Sequence, residues 1–495
     1  MIEKLIIKNF RSIKEQEINF DKLNAFVGPN NAGKSNIMRA LNLILGESWP
    51  SVYSFNEKDF YNYDKLNEIE IEVTFDSQLI CDHRVYGFRL TFDGTNSEYF
   101  AIDNNTNVVT YNTKRGQQNL HVSNEMKDEV SLMYLGLDRQ ASQQIRATQG
   151  TLYGKLLRRI EKQMEEGDKN NFKNDIQKSY KNYIYATYLK GIEEDLKNYV
   201  REQTGLDLCL RLSIFDPIET IKNLKPYLRE NQSLQEFDAE DMGAGVQSAL
   251  AIAIARTYAK IVKQPLIIAI EEPELYLHPH GCRHFYRLLK ELSKDGVQII
   301  YTTHERSFVN VSDFQSIHLV KKESGETKVY STIERDVPLK DEIKLASKFD
   351  EGINEVFFAN QVVLVEGVAD KIACQFALEK LGMELDKESI SIIECGGNKE
   401  VKPISEVLRF FNIPTYALID EDPDNSNTKN IILQLKSSLG DENVFLQRPG
   451  NLEGMFGLHK KFNRSEILKS LSEWFERNEP PDVYKDLKER LKKLI

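Results

Sequence analysis

Along the first third of the chain apolar residues recur at every second position, in EIEIEVTF, in YGFRLTF over 86–92 and in NVVTY over 107–111. Such alternation turns one face of a strand to a core and the other to water, and it predicts an antiparallel sheet. The opening MIEKLIIKNFRS has the same strand-like spacing. Over 152–205 the pattern changes: LYGKLLRRIEKQMEEGDKNNFKNDIQKSYKNYIYATYLKGIEEDLKNYV is charged, with apolar residues three and four apart. This predicts amphipathic helices inserted in a sheet domain. The insertion is either a solvated arm or a dimerisation surface, and the pattern alone does not choose between them. Strands and helices resume after residue 205 and end in a hairpin-like IHLVKKESGETKVYST. A polar segment over 333–359 then leads into regular alternation, with strands over 361–366, 389–394, 414–420 and 443–447 and helices over 369–381, 399–411 and 429–439. That order predicts a parallel sheet with helices on its faces.

A chain of 495 residues exceeds what a single core usually holds, and the patterns divide it at about residue 345 into 1–345 and 346–495. No apolar run approaches the roughly 18 residues that span a bilayer, and the N-terminus lacks the features of a secretory signal. The expectation is a cytoplasmic protein with no membrane partner. Five scattered cysteines (Cys81, Cys209, Cys282, Cys374 and Cys395) form no C-x-x-C pair, which predicts free thiols. The net charge of −11 excludes a uniformly basic surface, so any nucleic-acid contact must be a local patch.

The first chemical motif is GPNNAGKS over 28–35, after the apolar LNAFV. Gly28, Gly33, Lys34 and Ser35 fit a phosphate-binding loop: the glycines turn backbone N–H groups inward, Lys34 meets the β and γ phosphates, and Ser35 ligates Mg²⁺. Asn30 lies in the same loop. The helix that SNIMRALNLIL predicts would point its N-terminus at the same anion. LIIAIEEPELYLHP ends an apolar strand in Glu271 and Glu272. Paired acids there are costly unless they face a metal and a reacting water, which assigns Glu271 to Mg²⁺ and Glu272 to the water. In GAGVQSALAIAIA, Gly243 and Gly245 open an apolar helix to which another chain's γ-phosphate could come close. His304, after the strand of IIYTTHE, could contact a γ-phosphate. The histidine-rich LHPHGCRH (His278, His280, Cys282, His284) lacks the paired spacing of structural zinc sites.

In the last part, VVLVEGVAD ends a strand in Glu366 with Asp370 one helical turn on, and YALIDEDPDN ends another in Asp420 and Asp422. The carboxyl ends of neighbouring parallel strands share one crevice. Carboxylates gathered there repel one another unless divalent cations such as Mg²⁺ or Mn²⁺ bind them.

These motifs resemble those of the ATP-binding cassette ATPases of the SMC and RecF-like branch. GPNNAGKS is similar to their Walker A, GAGVQS to a degenerate signature motif, IIAIEEPE to a Walker B with Glu271 where Asp is usual, and His304 to the switch histidine. The resemblance implies that two heads sandwich ATP. The last part resembles the Toprim fold, and too little chain follows it for a topoisomerase's further domain, while a primase's zinc module is not visible; a nuclease remains. Head and Toprim together resemble the OLD (overcoming lysogenization defect) family, whose relatives include the Gabija nuclease and retron-associated nucleases. The implied fold class is α/β: an ABC-type (SMC/RecF-like) head with a helical dimerisation insertion, followed by a parallel-sheet Toprim domain. The implied function is an ATP-regulated, metal-dependent DNA endonuclease of prokaryotic antiviral defence. Its implied partners are DNA, a homodimer or higher homo-oligomer, and a helicase or a retron reverse transcriptase. A different reading is an ATP-gated DNA clamp whose Toprim part does not cut. By the resemblance Glu366, Asp370, Asp420 and Asp422 are metal ligands and Glu453 in NLEGMFG is a further acid. Lys485 is the choice for a late catalytic lysine, with Lys460 and Lys461 as rivals.

Overall fold

The computed structural model describes residues 1–136, 145–148, 151–204, 206, 217–221, 223–229, 235–262, 266–275, 277–333, 353–422, 425–457 and 464–493. The boundary expected at 345 and 346, most of the connecting segment 333–359, Cys209, Lys460 and Lys461 lie outside the described residues. The chain forms two compact units, one of Met1–Tyr134 with Leu266–Ile495 and one of Leu135–Pro265.

In the first unit the period-two segments form an antiparallel sheet in the order β2-β1-β4-β5-β6, made of β1 (Ile2–Phe10), β2 (Ile13–Asn19), β4 (Ile69–Phe75), β5 (Gly87–Phe92) and β6 (Ser97–Ile102). NVVTY differs from its expectation. Val109 is drawn into the core and bonded to Ala101 and Leu120, so the strand β7 (Thr110–Thr113) begins later and pairs only with β8 (Gly116–Asn119). A second sheet runs β15-β14-β3-β13-β12-β9, from β15 (Glu326–Ser331), β14 (Ile317–Glu323), β3 (Leu23–Val27), β13 (Val297–Thr303), β12 (Leu266–Glu271) and β9 (Ser131–Leu135). Its β14, β3, β13 and β12 are parallel. Every residue of β3, β12 and β13 is buried, as befits strands covered on both faces. The helix Lys34–Leu45 buries Ile37, Met38, Leu41 and Ile44 in one core with Leu5 and Phe88 of the first sheet and Ile267 and Ile300 of the second. That packing anchors the phosphate loop.

The third sheet, wholly parallel in the order β17-β16-β18-β19, comprises β16 (Gln361–Val365), β17 (Ile390–Glu394), β18 (Thr415–Asp420) and β19 (Val444–Gln447). Helices Val368–Lys380, Asn398–Phe410 and Ser426–Leu439 alternate with these strands, as the pattern predicts. Two further helices, Arg464–Arg477 and Asp482–Lys492, cover the same core with Leu471, Phe475, Tyr484 and Leu487.

The second unit holds the predicted helices, Leu152–Gln163, Glu166–Ser179 and Lys190–Thr204, with a wider π-type stretch at Tyr180–Leu189. Ile184, Tyr188, Ile192 and Leu196, four residues apart, are all exposed. The unit also contains the hairpin β10 (Tyr227–Arg229) and β11 (Glu236–Asp238) and the helix Ala244–Val262.

Candidate functional site

Two groups of chemically active residues lie at the carboxyl ends of parallel strands in the first unit. The first surrounds the loop after β3. Gly28 has φ 152° and stands so close to β14 that an added Cβ would lie 2.1 Å from the Val320 carbonyl oxygen. Gly33 has φ 111°, and a Cβ there would meet Thr327 Oγ1 at 2.1 Å, so both positions demand glycine. Lys34 Nζ donates to the carbonyls of Gly28 (2.8 Å) and Pro29 (2.9 Å). Burial lowers its pKa to about 8, opposed by Glu272 and Glu274. Asn30 and Ser35 are exposed on the rim.

Glu271 closes β12 in a buried position. Its Oε1 accepts a hydrogen bond from the Tyr134 hydroxyl, while its Oε2 is buried without a partner among the described residues. Glu272 sits at φ 45°, a costly conformation for a residue with a side chain and one that concentrates at working sites. Its N–H holds the Thr302 carbonyl at 2.9 Å. His304 Nε2 is 3.5 Å from the Glu272 carboxylate. Burial, and then Lys34, lower the imidazole pKa to about 4, so at neutral pH this contact joins a neutral ring to a carboxylate. Glu274 is the residue that sequence reasoning missed: its Oε1 accepts from His304 N (2.7 Å) and Thr303 Oγ1 (2.9 Å) and fixes the histidine's backbone. It stands in the quoted EEPE but lacks a pattern of its own. Tyr134 comes from a strand 137 residues away in sequence, which no local signal reveals.

Gly243 and Gly245 belong to the second unit. A Cβ on Gly243 would meet nothing within 4 Å, so packing within the unit does not require glycine there. Gln247 ties the turn down by donating to Glu240 O (2.8 Å) and Met242 O (2.9 Å). The LHPHGCRH stretch starts the helix Pro279–Lys294, where His278 caps the N-terminus, His280 stacks on it and Cys282 is buried. Capping gives His278 a structural role at the start of that helix.

The second group crowns the third sheet. Glu366 follows β16 and accepts from Asp420 N at 2.9 Å. Burial raises its pKa to about 7, with Asp370 and Asp422 adding to the rise. Asp370 Oδ2 accepts from Gly367 N at 3.0 Å, and burial raises its pKa to about 6. Asp420 is raised to about 8, first by burial and then by Asp370, Glu366, Asp422 and Glu453. Its Oδ1 is buried without a partner among the described residues. Asp422 sits at φ 37°, its N–H bonded to Gly450 O at 2.8 Å. The fold thus brings all five acids of the sequence reading into one electrostatic neighbourhood. Among the described residues no three Asp, Glu, His or Cys side chains form a ready-made ligand arrangement; Glu366 and Asp370 are turned to backbone N–H groups instead. Mutually raised carboxylates with an orphaned buried oxygen fit a divalent cation, because hard oxygen ligands and two positive charges would relieve both strains. Lys485 is not brought to this group. It is exposed and bonded to Asp482 at 2.8 Å, because the helix Asp482–Lys492 turns the neighbouring Tyr484 inward.

Polar contacts link the turn beyond His304 to the third sheet, at the amino end of β17 rather than at its acids. Arg306, just beyond His304, pairs with Glu355 at 2.8 Å, and Glu355 accepts from Ser391 Oγ of β17 at 2.8 Å. Asn354 donates to the carbonyls of Val309 (2.7 Å) and Arg306 (3.3 Å).

A phosphate-loop head and an acid-crowned parallel sheet define the class of ATPase–Toprim proteins. Residues 23–310 match the family described as "AAA domain, putative AbiEii toxin, Type IV TA system", and residues 357–422 match "Overcoming lysogenization defect protein-like, TOPRIM domain". The chain belongs to the AAA family of the first match, and its last sheet carries the overcoming-lysogenization-defect-like Toprim match. It is 29% identical to the OLD nuclease of Thermus scotoductus, over 100% of this chain and 99% of that one. It is 25% identical to the Old nuclease of Escherichia phage P2, over 84% and 76% of the two chains. With the endonuclease GajA of Bacillus cereus it shares 22% identity over 79% of this chain and 70% of that one.

Proposed function

We propose that this protein is a DNA endonuclease that depends on Mg²⁺ or Mn²⁺, is regulated by ATP and serves prokaryotic antiviral defence. The observation that carries the reading is the buried, unpartnered Asp420 oxygen among Glu366, Asp370, Asp422 and Glu453. These five would hold the cations, which when bound supply a polarised phosphodiester and an activated water. The nuclease names of the full-length relatives support the same activity.

In the head, Lys34 and the loop N–H groups would bind phosphate, with Asn30 and Gly33 shaping the loop, and Ser35 and Glu271 would hold the accompanying Mg²⁺. Glu272 orients the attacking water, and the neutral His304 hydrogen-bonds the γ-phosphate. Gly243 and Gly245 offer backbone to the ATP of a second head. Phosphodiester hydrolysis is downhill, so ATP acts as a regulator rather than as fuel. The contacts Arg306–Glu355–Ser391 are the route by which the head would bias the Toprim sheet. A homodimer formed through the helical insertion keeps two heads together.

The test incubates supercoiled plasmid with protein and Mg²⁺ or Mn²⁺. Wild type is expected to cut, and Asp420→Ala to lose cleavage while binding ATP as before. Cutting by Asp420→Ala would refute the site. A wild type that retains DNA under ATP control without cutting it would establish the clamp instead.

A further inference from the structure

Beneath the acids of the third sheet lies a polar pair that the proposed chemistry does not use. Gln447 ends β19 in register with Asp420, so both side chains leave the sheet on one face. It is 0% exposed, and neither Nε2 nor Oε1 has a regular hydrogen bond among the described residues. The Tyr484 hydroxyl, also 0% exposed, is in the same condition. Gln447 is near enough to act on both the Asp370 carboxylate and the Tyr484 hydroxyl. Four buried polar atoms without regular partners, Asp420 Oδ1 among them, therefore gather under one cluster of carboxylates. Buried amides and phenols ordinarily find partners. Their concentration here marks a place whose hydrogen bonds are completed in another state of the site.

We infer that Gln447 and Tyr484 are positioning residues for the metal ligands: the Tyr484 hydroxyl donates to Gln447 Oε1, and Gln447 Nε2 donates to Asp370, holding its carboxylate toward the cation. The chemistry favours an amide in this place. A lysine would offset the acids with its own charge and compete with the cation, whereas an aliphatic side chain would leave Asp370 unheld. The inference rests on the metal reading above, and the experiment separates the two. Mn²⁺ binding to the full chain is measured by calorimetry or electron paramagnetic resonance for wild type, Asp420→Ala, Gln447→Leu and Tyr484→Phe, with metal-free melting temperatures beside it. Gln447→Leu is expected to bind Mn²⁺ about 10 to 100 times more weakly and Tyr484→Phe several times more weakly. Neither should melt below wild type without metal, since each removes an orphaned buried group. If Asp420→Ala weakens Mn²⁺ binding but Gln447→Leu and Tyr484→Phe titrate like wild type, the positioning role is overturned while the metal site stands. If Asp420→Ala also titrates like wild type, the metal reading falls and takes the inference with it.

Discussion

Single residues in this protein are set by what surrounds them. Lys34 is bonded to the carbonyls of its own loop, and a bound phosphate would exchange those bonds for a stronger charge-assisted contact. Lys34→Ala is therefore expected to weaken ATP at least about tenfold, or about 1.4 kcal/mol, with the Toprim acids unaffected; nucleotide titration checks it. His318 shows burial acting alone. It is fully buried, stacked 4.6 Å from Phe26, with Nε2 at 3.2 Å from Asn24 Oδ1, and burial lowers its pKa to about 3. Its folded pKa lies below its unfolded one, so the neutral ring's contribution is complete above the unfolded value and is lost as pH falls toward about 3. Each pH unit in that window costs about 1.4 kcal/mol. The difference in urea-unfolding stability between wild type and His318→Phe should change with that slope between about pH 6 and 4, because the opposite-signed contributions of the raised Glu366, Asp370 and Asp420 carboxylates are common to both proteins; a flat difference would remove His318 as the cause. The motifs of Lys34 and Asp420 are legible because their chemistry demands fixed local spacing. Tyr134, Glu274 and Gln447 are not, because only the sheet order brings them to their partners.

At the scale of elements, the short segment Ile353–Phe358 matters more than its length suggests. It bonds the turn after His304 through Asn354 and Arg306, and reaches β17 through Ser391. Coupling requires that ATP bind two arrangements unequally. Glu355→Ala cuts both polar links. It is expected to keep ATP hydrolysis and plasmid cleavage while making cleavage insensitive to ATP, whereas Glu272→Gln, expected to bind ATP without hydrolysing it, should stay fixed in one nuclease state. An ATP titration of cleavage in these two variants and wild type decides the matter; three identical, flat curves would mean that the proteins' two activities are uncoupled. Strand and helix positions in the third sheet were readable from the βαβ alternation. The β7 strand was not, because a buried valine at its start belongs to the core rather than to the ladder.

For the whole molecule, the question is what a second copy would cover. Ile184, Tyr188, Ile192 and Leu196 form an exposed apolar stripe at helical spacing, and such a stripe on a charged helix favours burial against a partner. For the proposed homodimer, a Tyr188→Glu, Ile192→Glu double variant is expected to give a monomer in light scattering where wild type gives a dimer, while each chain stays folded; the same mass for both would remove the insertion from the interface. By itself, the sequence determined the local chemistry: a glycine-rich phosphate loop, acids at strand ends, helices where the apolar period is three to four, and strands where it is two. These follow from backbone geometry and from side chains within a few positions of one another. The tertiary structure alone decided that Gln447 lies in register beside Asp420, that Tyr134 holds Glu271, that Lys485 faces water while Tyr484 faces the acids, and that Glu355 bridges head and Toprim sheet. Each of these depends on which strands lie side by side, and that order is fixed by the packing of the whole core, which no window of sequence contains.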